Sequence, residues 1–137
     1  MLYEDKDLTF KVPDDWIVED EDGVRSIFNE DGEGAITMSF YRIIKLEESI
    51  EKHIENMALK YVEDIDIKIE KNIELVTSSK EKSTVCMQGK TFDGWFLKLW
   101  VVAKFPTAIV ITYWSEEETE EINTVDEIVE SFKFKKE

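Results

Sequence analysis

Two neighbouring apolar segments in the last third of the chain constrain its fold more than any other feature of the sequence. Residues 94–104 and 107–114 are rich in β-branched and aromatic side chains, and Phe105-Pro106 forms the short turn between them. Strands joined by a short turn pair antiparallel, so the two segments predict a hairpin. From Trp95 to Val102 the side chains that point to either face are apolar, except at Lys98. Both faces of this hairpin must therefore be covered by other parts of the chain.

The remaining periodicity predicts further strands and two helices. The strand pattern recurs in five other segments and briefly at the end of the chain: 8–12, 24–29, 35–44, 73–78, 83–88 and 132–134. Apolar residues spaced four, four, three and four apart predict an amphipathic helix over roughly 46–63. The segment Ser115-Glu116-Glu117-Glu118 has the form of a capping box and predicts that the last helix opens at Ser115.

The order of these elements indicates the fold class. Every link between successive strands is short except the one that contains the first helix, so the pairing is expected to be antiparallel. A sheet that is apolar on both faces needs a helix on each side. We predict an α+β fold, a mainly antiparallel sheet of about six to seven strands flanked by one helix on each face (an α/β/α sandwich). The length of 137 residues predicts a single domain over 1–137.

Three features of the sequence resemble the PsbP-like superfamily. The first strand runs into a Pro-x-x-Trp corner at Pro13 and Trp16. An early strand of small and apolar residues, 34–40, precedes the long helix. The chain then ends with a strong hairpin, an acidic helix and the segment 128–134. The resemblance covers nearly the whole chain in the same order.

This resemblance implies a fold and a habit of binding other proteins without catalysis. The superfamily includes the PsbP subunit of photosystem II, a Ran-binding nuclear-import factor, DcrB-like lipoproteins and small bacterial proteins, and the last group is the expected one here. The sequence shows neither a transit peptide nor a lipoprotein signal, so the photosynthetic and lipoprotein roles are not expected to apply. No motif supports carrying over the Ran-binding residues, and a fold alone does not give a function.

The negative charge of the chain is concentrated in two segments. The sequence has 17 Lys and Arg against 32 Asp and Glu, a net charge of −15. Residues 14–33 carry nine acids and one base, and residues 115–130 carry eight acids and no base, so each has a net charge of −8. The predicted partner-binding residues come from these two segments: Asp20, Glu21, Asp22, Glu30, Asp31, Glu33, Glu117, Glu120 and Glu121. Whether the fold brings the segments together stays open at this point.

Composition also excludes several classes of partner and compartment. Nucleic acid is not expected, because no segment clusters the Lys and Arg that bind phosphates. A membrane is not expected, because the longest apolar segments are too short to span a bilayer. The absence of a signal-peptide pattern and of any possible internal disulfide, with Cys86 as the one cysteine, predicts a cytoplasmic protein.

No catalytic or metal-binding pattern stands out. His53 is the one histidine and has no second ligand near it in sequence. Cys86 lies in an alternating strand with no helix N-terminus or basic cluster beside it, so we expect it to pack in the core. A calcium loop fails because Val18 and Ile27 stand where the first ligand is needed. Gly32-Glu33-Gly34 lacks the lysine of a phosphate loop. We predict no cofactor, no metal and no enzymatic activity.

Aromatic residues crowd into the predicted hairpin and its approach. They either pack in the core or line a ligand pocket or an interface, and whichever of Phe96, Trp100 or Trp114 proves exposed is the first interface candidate. These residues are Phe92, Trp95, Phe96, Trp100, Phe105, Tyr113 and Trp114.

Together these observations favour a non-enzymatic protein-binding module that binds a basic protein through an acidic surface. Two alternatives stay open: an immunity-type protein that neutralises a basic toxin, and a small-molecule or lipid-binding domain with a pocket between sheet and helix. An enzyme that uses carboxylates or Cys86 is a third and weaker hypothesis. The sequence does not indicate an oligomeric state.

Overall fold

The computed structural model describes residues 1–5 and 7–135 of the chain. Ten strands and two helices follow one another in this order: β1 (Leu2–Glu4), β2 (Leu8–Lys11), β3 (Trp16–Glu21), β4 (Val24–Asn29), β5 (Gly34–Arg42), α1 (Ile50–Asp64), β6 (Ile67–Ser78), β7 (Ser83–Thr91), β8 (Phe96–Lys104), β9 (Thr107–Ser115), α2 (Glu121–Glu130) and β10 (Lys133–Phe134). Seven strands form a sheet in the order β3-β4-β5-β9-β8-β7-β6, and three form a small sheet in the order β1-β2-β10. Neighbouring strands are antiparallel throughout both sheets.

The predicted hairpin is the centre of the large sheet. β8 and β9 pair from Lys104↔Thr107 to Phe96↔Ser115. Alternate residues of β8 belong to two separate apolar cores. Leu99 and Val101 pack in the core on one face of the sheet, and Trp100 and Val102 pack in the core on the other. The expectation that both faces are covered is therefore confirmed.

The first face is covered by α1, which lies across β6, β7 and β8. Its residues Ile54, Ala58 and Val62 are buried against the sheet. The helix begins at Ile50, four residues later than predicted, because the Ser49 side chain caps it by accepting a hydrogen bond from the Lys52 N–H at 3.2 Å. Leu46 belongs to the same apolar core from the preceding loop, which is why it fits the helical spacing without being helical.

The second face is covered by two elements together, α2 and the three-stranded sheet. Val125, Ile128 and Val129 of α2 join Leu8 and Phe10 of β2 in one buried core. The predicted α+β sandwich with one helix on each face is confirmed, and the small second sheet is an addition that the sequence pattern did not predict.

The predicted start of the last helix is wrong. Ser115 does not cap α2; it is the buried last residue of β9, paired with Gly34 and Phe96. Its hydroxyl donates to the Glu117 carbonyl oxygen at 2.6 Å. Residues 116–120 form a loop, and α2 begins at Glu121. The pairing of Ser115 with two neighbouring strands therefore keeps it in the sheet, although the local sequence has the form of a helix cap.

The two edge strands of the large sheet differ from the sequence expectation. β3 forms where the sequence pattern predicts no strand, because the second half of the segment is a run of exposed acids. β6 begins at Ile67, six residues earlier than predicted, and most of its side chains are exposed. Its pairing with β7 has three register shifts, between Ile69 and Lys71, Lys71 and Glu74, and Leu75 and Thr77.

Arg25, the one base of the first acidic segment, connects the two sheets. Its guanidinium lies 3.0 Å from Asp5, which follows β1, and 2.8 Å from Asp20 on the neighbouring strand. It also stacks over the rings of Phe10 and Phe40, at 5.9 Å from each centroid. With its side chain only 13% exposed, the guanidinium is shielded from water on most sides.

We expect Arg25→Ala to lower the free energy of unfolding by about 2 kcal/mol, because it leaves two carboxylates and two ring faces without their cation. Arg42→Ala is the matched control, since Arg42 is an exposed arginine at the end of β5, and we expect it to change stability by less than about 0.5 kcal/mol. Urea unfolding of both variants checks this. Equal midpoints would mean that Arg25 does not join the sheets.

Candidate functional site

The sheet topology brings half of the first acidic segment to the second one. Gly34 at the start of β5 pairs with Ser115 at the end of β9. The turn before β5 and the loop after β9 therefore lie side by side at one end of the large sheet. We call this surface the acidic end, and its exposed carboxylates are Glu30, Asp31, Glu33, Glu116, Glu117, Glu118 and Glu120.

The other half of the first segment lies elsewhere. Asp20, Glu21 and Asp22 are at the β3–β4 hairpin, separated from the acidic end by the whole six-residue length of β4, roughly 20 Å. The turn itself is Asp22-Gly23, and both residues have positive φ (51° and 81°), which an Asp-Gly hairpin turn favours. The predicted partner-binding residues therefore form two groups at opposite ends of β4.

Glu121 differs from the other predicted site residues because its carboxylate is directed inward. It accepts hydrogen bonds from the N–H groups of Glu33 and Gly34 at 3.0 to 3.2 Å and from the Tyr113 hydroxyl at 2.7 Å. Burial and this hydrogen bond raise the pKa of Tyr113, so the phenol stays protonated. A side chain at Gly32 would collide with the carboxylate, since a Cβ there would lie 2.2 Å from Glu121 Oε2. Glu121 thus joins α2 to the β4–β5 turn.

An aromatic turn lies at the same end of the sheet, between β7 and β8. Phe96, the first residue of β8, pairs with Ser115, which places the turn beside the acidic end. Phe92 is 80% exposed and Trp95 is 40% exposed. Of the three predicted interface candidates, Phe96 and Trp100 are buried and Trp114 is only half-buried, so the exposed aromatic residues at this end are ones that the sequence did not single out. Tyr113 is buried as well, and Phe105 is exposed at the opposite end of the hairpin.

The aromatic turn has a defined conformation. The Thr91 N–H donates to the Trp95 carbonyl oxygen, and the Trp95 N–H donates to the Thr91 hydroxyl oxygen, both at 2.9 Å. The Thr91 hydroxyl in turn donates to the Asp93 carboxylate. Gly94 has a φ of 94°, a backbone conformation that residues other than glycine rarely adopt. The turn therefore presents Phe92 and Trp95 on a rigid support.

Cys86 and His53, the one cysteine and the one histidine of the sequence, are too far apart to form a catalytic Cys–His pair. Cys86 packs against the core under α2, whereas His53 is on α1, on the opposite face of the sheet. Burial raises the pKa of the Cys86 thiol to about 11. Within residues 1–5 and 7–135, no group of three or more His, Cys, Asp or Glu side chains is placed to hold a metal ion. No helix in this part of the chain is long and apolar enough to cross a membrane.

We expect Glu121→Ala to lower the free energy of unfolding by about 2–3 kcal/mol, because the Tyr113 hydroxyl and two backbone N–H groups lose their acceptor. The adjacent Glu120→Ala is the matched control, with an exposed side chain and an expected change below about 0.5 kcal/mol. Urea titration followed by tryptophan fluorescence measures both. The inward role of Glu121 is refuted if the two variants unfold at the same midpoint.

We expect the Cys86 thiol to react about 100-fold more slowly in the native chain than in urea at pH 8, since its pKa rises from 9.0 to about 11 and only the thiolate reacts. The unfolded chain loses the thiol proton at the lower pH, so native stability should fall as the pH rises from about 9 to 11. An aromatic disulfide reagent measures the rate. Equal native and unfolded rates would contradict the prediction.

Comparison with known proteins gives structural but not sequence matches. No protein-family model matches the chain, and no curated protein matches it. The solution structure of cyanobacterial PsbP (CyanoP) from Synechocystis sp. PCC 6803 is similar, with a TM-score of 0.68 and 16% identity over 98% of this chain and 92% of that chain.

Two further solved structures are similar. The crystal structure of the Saccharomyces cerevisiae Ran-binding protein Mog1p has a TM-score of 0.61 and 14% identity over 91% of this chain and 88% of that one. A protein from Bacteroides thetaiotaomicron has a TM-score of 0.57 and 16% identity, and the match covers 95% of this chain and 46% of that chain. Identities of this size show the fold alone. The chain thus has the PsbP/Mog1-like fold, in agreement with the resemblance of its sequence.

Proposed function

We propose that the chain is a non-enzymatic protein-binding module whose partner is a basic protein. One observation carries this proposal: the acidic end lies beside the exposed Phe92 and Trp95 at one end of the sheet. A cytoplasmic location and a single functional unit over 1–137 are parts of the same proposal.

The acidic end supplies the charge that attracts such a partner. Residues 29–34 and 115–122 contain no Lys, Arg or His that could neutralise their carboxylates locally. A surface whose charges all have the same sign speeds the association of an oppositely charged protein and repels proteins of like charge. This predicts association that weakens as salt is added.

The aromatic turn supplies the apolar contact that charge alone does not. Exposed ion pairs contribute about 1 kcal/mol or less each, whereas buried aromatic residues carry most of the binding energy in protein interfaces. Phe92 and Trp95 are on a turn that is already ordered by hydrogen bonds, so binding costs little additional ordering. Acids beside rigid aromatic residues therefore suit a basic partner that has an apolar pocket.

The comparisons support protein binding as a role for this fold, since the yeast protein of the same fold is described as Ran-binding. They supply no partner for this chain. A narrower version of the proposal is an immunity-type protein that neutralises a basic toxin by covering its cationic site.

The test begins with the immobilised chain, from which retained basic proteins are eluted by salt, identified and purified. We expect Glu117→Lys/Glu120→Lys to weaken binding of the purified partner at least about tenfold at low salt. The control pair Glu19→Lys/Glu21→Lys makes the same charge change at the far end of β4 and should have a smaller effect.

The aromatic part is tested with Trp95→Ser, which should weaken binding at low and high salt alike, because apolar contacts are not screened. Phe105→Ser is its control, since Phe105 is an exposed aromatic residue at the opposite end of the hairpin. The proposal fails if no basic protein is retained at low salt, or if both charge pairs weaken binding equally. Turnover of a substrate that is lost in Cys86→Ala would overturn the non-enzymatic part.

A further inference from the structure

A groove lies on the face of the sheet that α2 covers only in part. It runs between α2 and the strands β6, β7 and β8, and its volume is about 570 Å³. This size is within the range of small-molecule sites. The groove is on a face of the sheet and not at its acidic end, so the inference below does not rest on the proposed function.

The floor of the groove contains polar side chains without partners. Thr84, Cys86 and Gln88 alternate along β7 and line the groove. Gln88 is only 6% exposed and Thr84 only 5%. Within the described part of the chain neither side chain makes a hydrogen bond, and their polar atoms are not sealed from solvent, so they face the open groove and are free to bind a ligand. The Gln88 amide offers one donor group and one acceptor to whatever occupies the groove.

The walls of the groove are electrically balanced, in contrast to the chain as a whole. Three bases and three acids line it: Lys71, Lys82, Lys98, Glu74, Asp126 and Glu130. Lys98 is paired with Asp126 at 2.7 Å and lies 5.2 Å from the centre of the Trp100 ring. Lys82 donates to the carbonyl oxygens of Glu130 and Phe132 at the end of α2, at 3.0 and 2.8 Å. The groove therefore does not select a strongly charged ligand.

These features do not suit an acyl chain as the occupant. An acyl chain offers no hydrogen bonds to Gln88 and Thr84 and would desolvate the charged walls. A carboxamide, in contrast, presents a carbonyl oxygen and an NH₂ group on one edge, which complement the NH₂ group and carbonyl oxygen of a glutamine side chain. The lipid version of a pocket between sheet and helix is thus not the version that this groove fits.

We infer that the groove binds a small neutral or zwitterionic molecule that bears a carboxamide, with its amide edge paired to the side chain of Gln88. The Thr84 hydroxyl supplies a further hydrogen bond at the floor. The ring of Trp100 and the paired Lys98 and Asp126 bound the groove on the side of β8 and α2.

The sequence provides two unique reporters for a test. Gln88 is the only glutamine and Cys86 the only cysteine of the chain. Labelling with side-chain ¹⁵N-glutamine therefore gives one side-chain NH₂ signal in an NMR spectrum. Thiol reactivity likewise reports on one site in the same groove.

The experiment titrates the intact chain with propionamide, L-asparagine and L-glutamine, and with the matched carboxylates propionate, L-aspartate and L-glutamate. We expect the carboxamides to shift the Gln88 NH₂ signal and to slow the reaction of Cys86, with the carboxylates about tenfold weaker. Gln88→Leu should weaken carboxamide binding about tenfold, as measured by protection of Cys86. Asn56→Leu, on α1 across the sheet, should leave it unchanged.

The inference is overturned if millimolar carboxamides leave the Gln88 signal unshifted, or if carboxamides and carboxylates shift it equally. The first result means that the groove holds only water. The second means that the amide edge is not what is recognised. If Gln88→Leu does not fold, the contrast between the two probe classes on the unmodified chain still decides the outcome.

Discussion

The burial of β8 and β9 on both faces is the constraint from which the rest of this fold follows. Apolar side chains of β8 point to both faces of the sheet, Leu99 and Val101 to one and Trp100 and Val102 to the other. The chain must therefore bury each face under a separate apolar layer. α1 meets the first need alone. The second is met by α2 together with β2, whose buried Phe10 contacts the Phe132 ring at 5.0 Å between centroids. The small second sheet exists because one ten-residue helix does not cover that face.

The sequence predicted elements well where their apolar pattern was strong. The hairpin, the stripe of α1 and the fold class were predicted from apolar spacing, and the structure confirms them. β3 was missed because its acids Glu19, Asp20 and Glu21 remove the apolar alternation that marks a strand. The capping box at Ser115 was misleading because the same residue is the last of β9 and pairs with both β5 and β8. Local signals thus failed where pairing with distant strands competed with them.

The candidate site could be predicted only in part, for a related reason. The sequence located the acids, but the proximity of residues 30–33 to residues 116–120 depends on the pairing of β5 with β9, which composition does not reveal. The inward orientation of Glu121 had no sequence signal at all, since Tyr113 is eight residues away and Gly34 is 87 residues away. Gln88 was likewise not identified, because an amide that faces a groove without a partner in the chain is recognised only when its surroundings are known.

The three register shifts of β6 have a consequence for the behaviour of the protein at high concentration. β6 is a twelve-residue edge strand, and such edges invite pairing with a strand of another molecule and growth into fibrils. A shifted strand bends and twists, so its outer row of N–H and C=O groups is interrupted and an incoming strand finds no long regular ladder. Lys68, Glu70 and Lys71 add exposed charges along the same edge. The irregular backbone and the charges of β6 thereby protect this edge of the sheet against self-assembly.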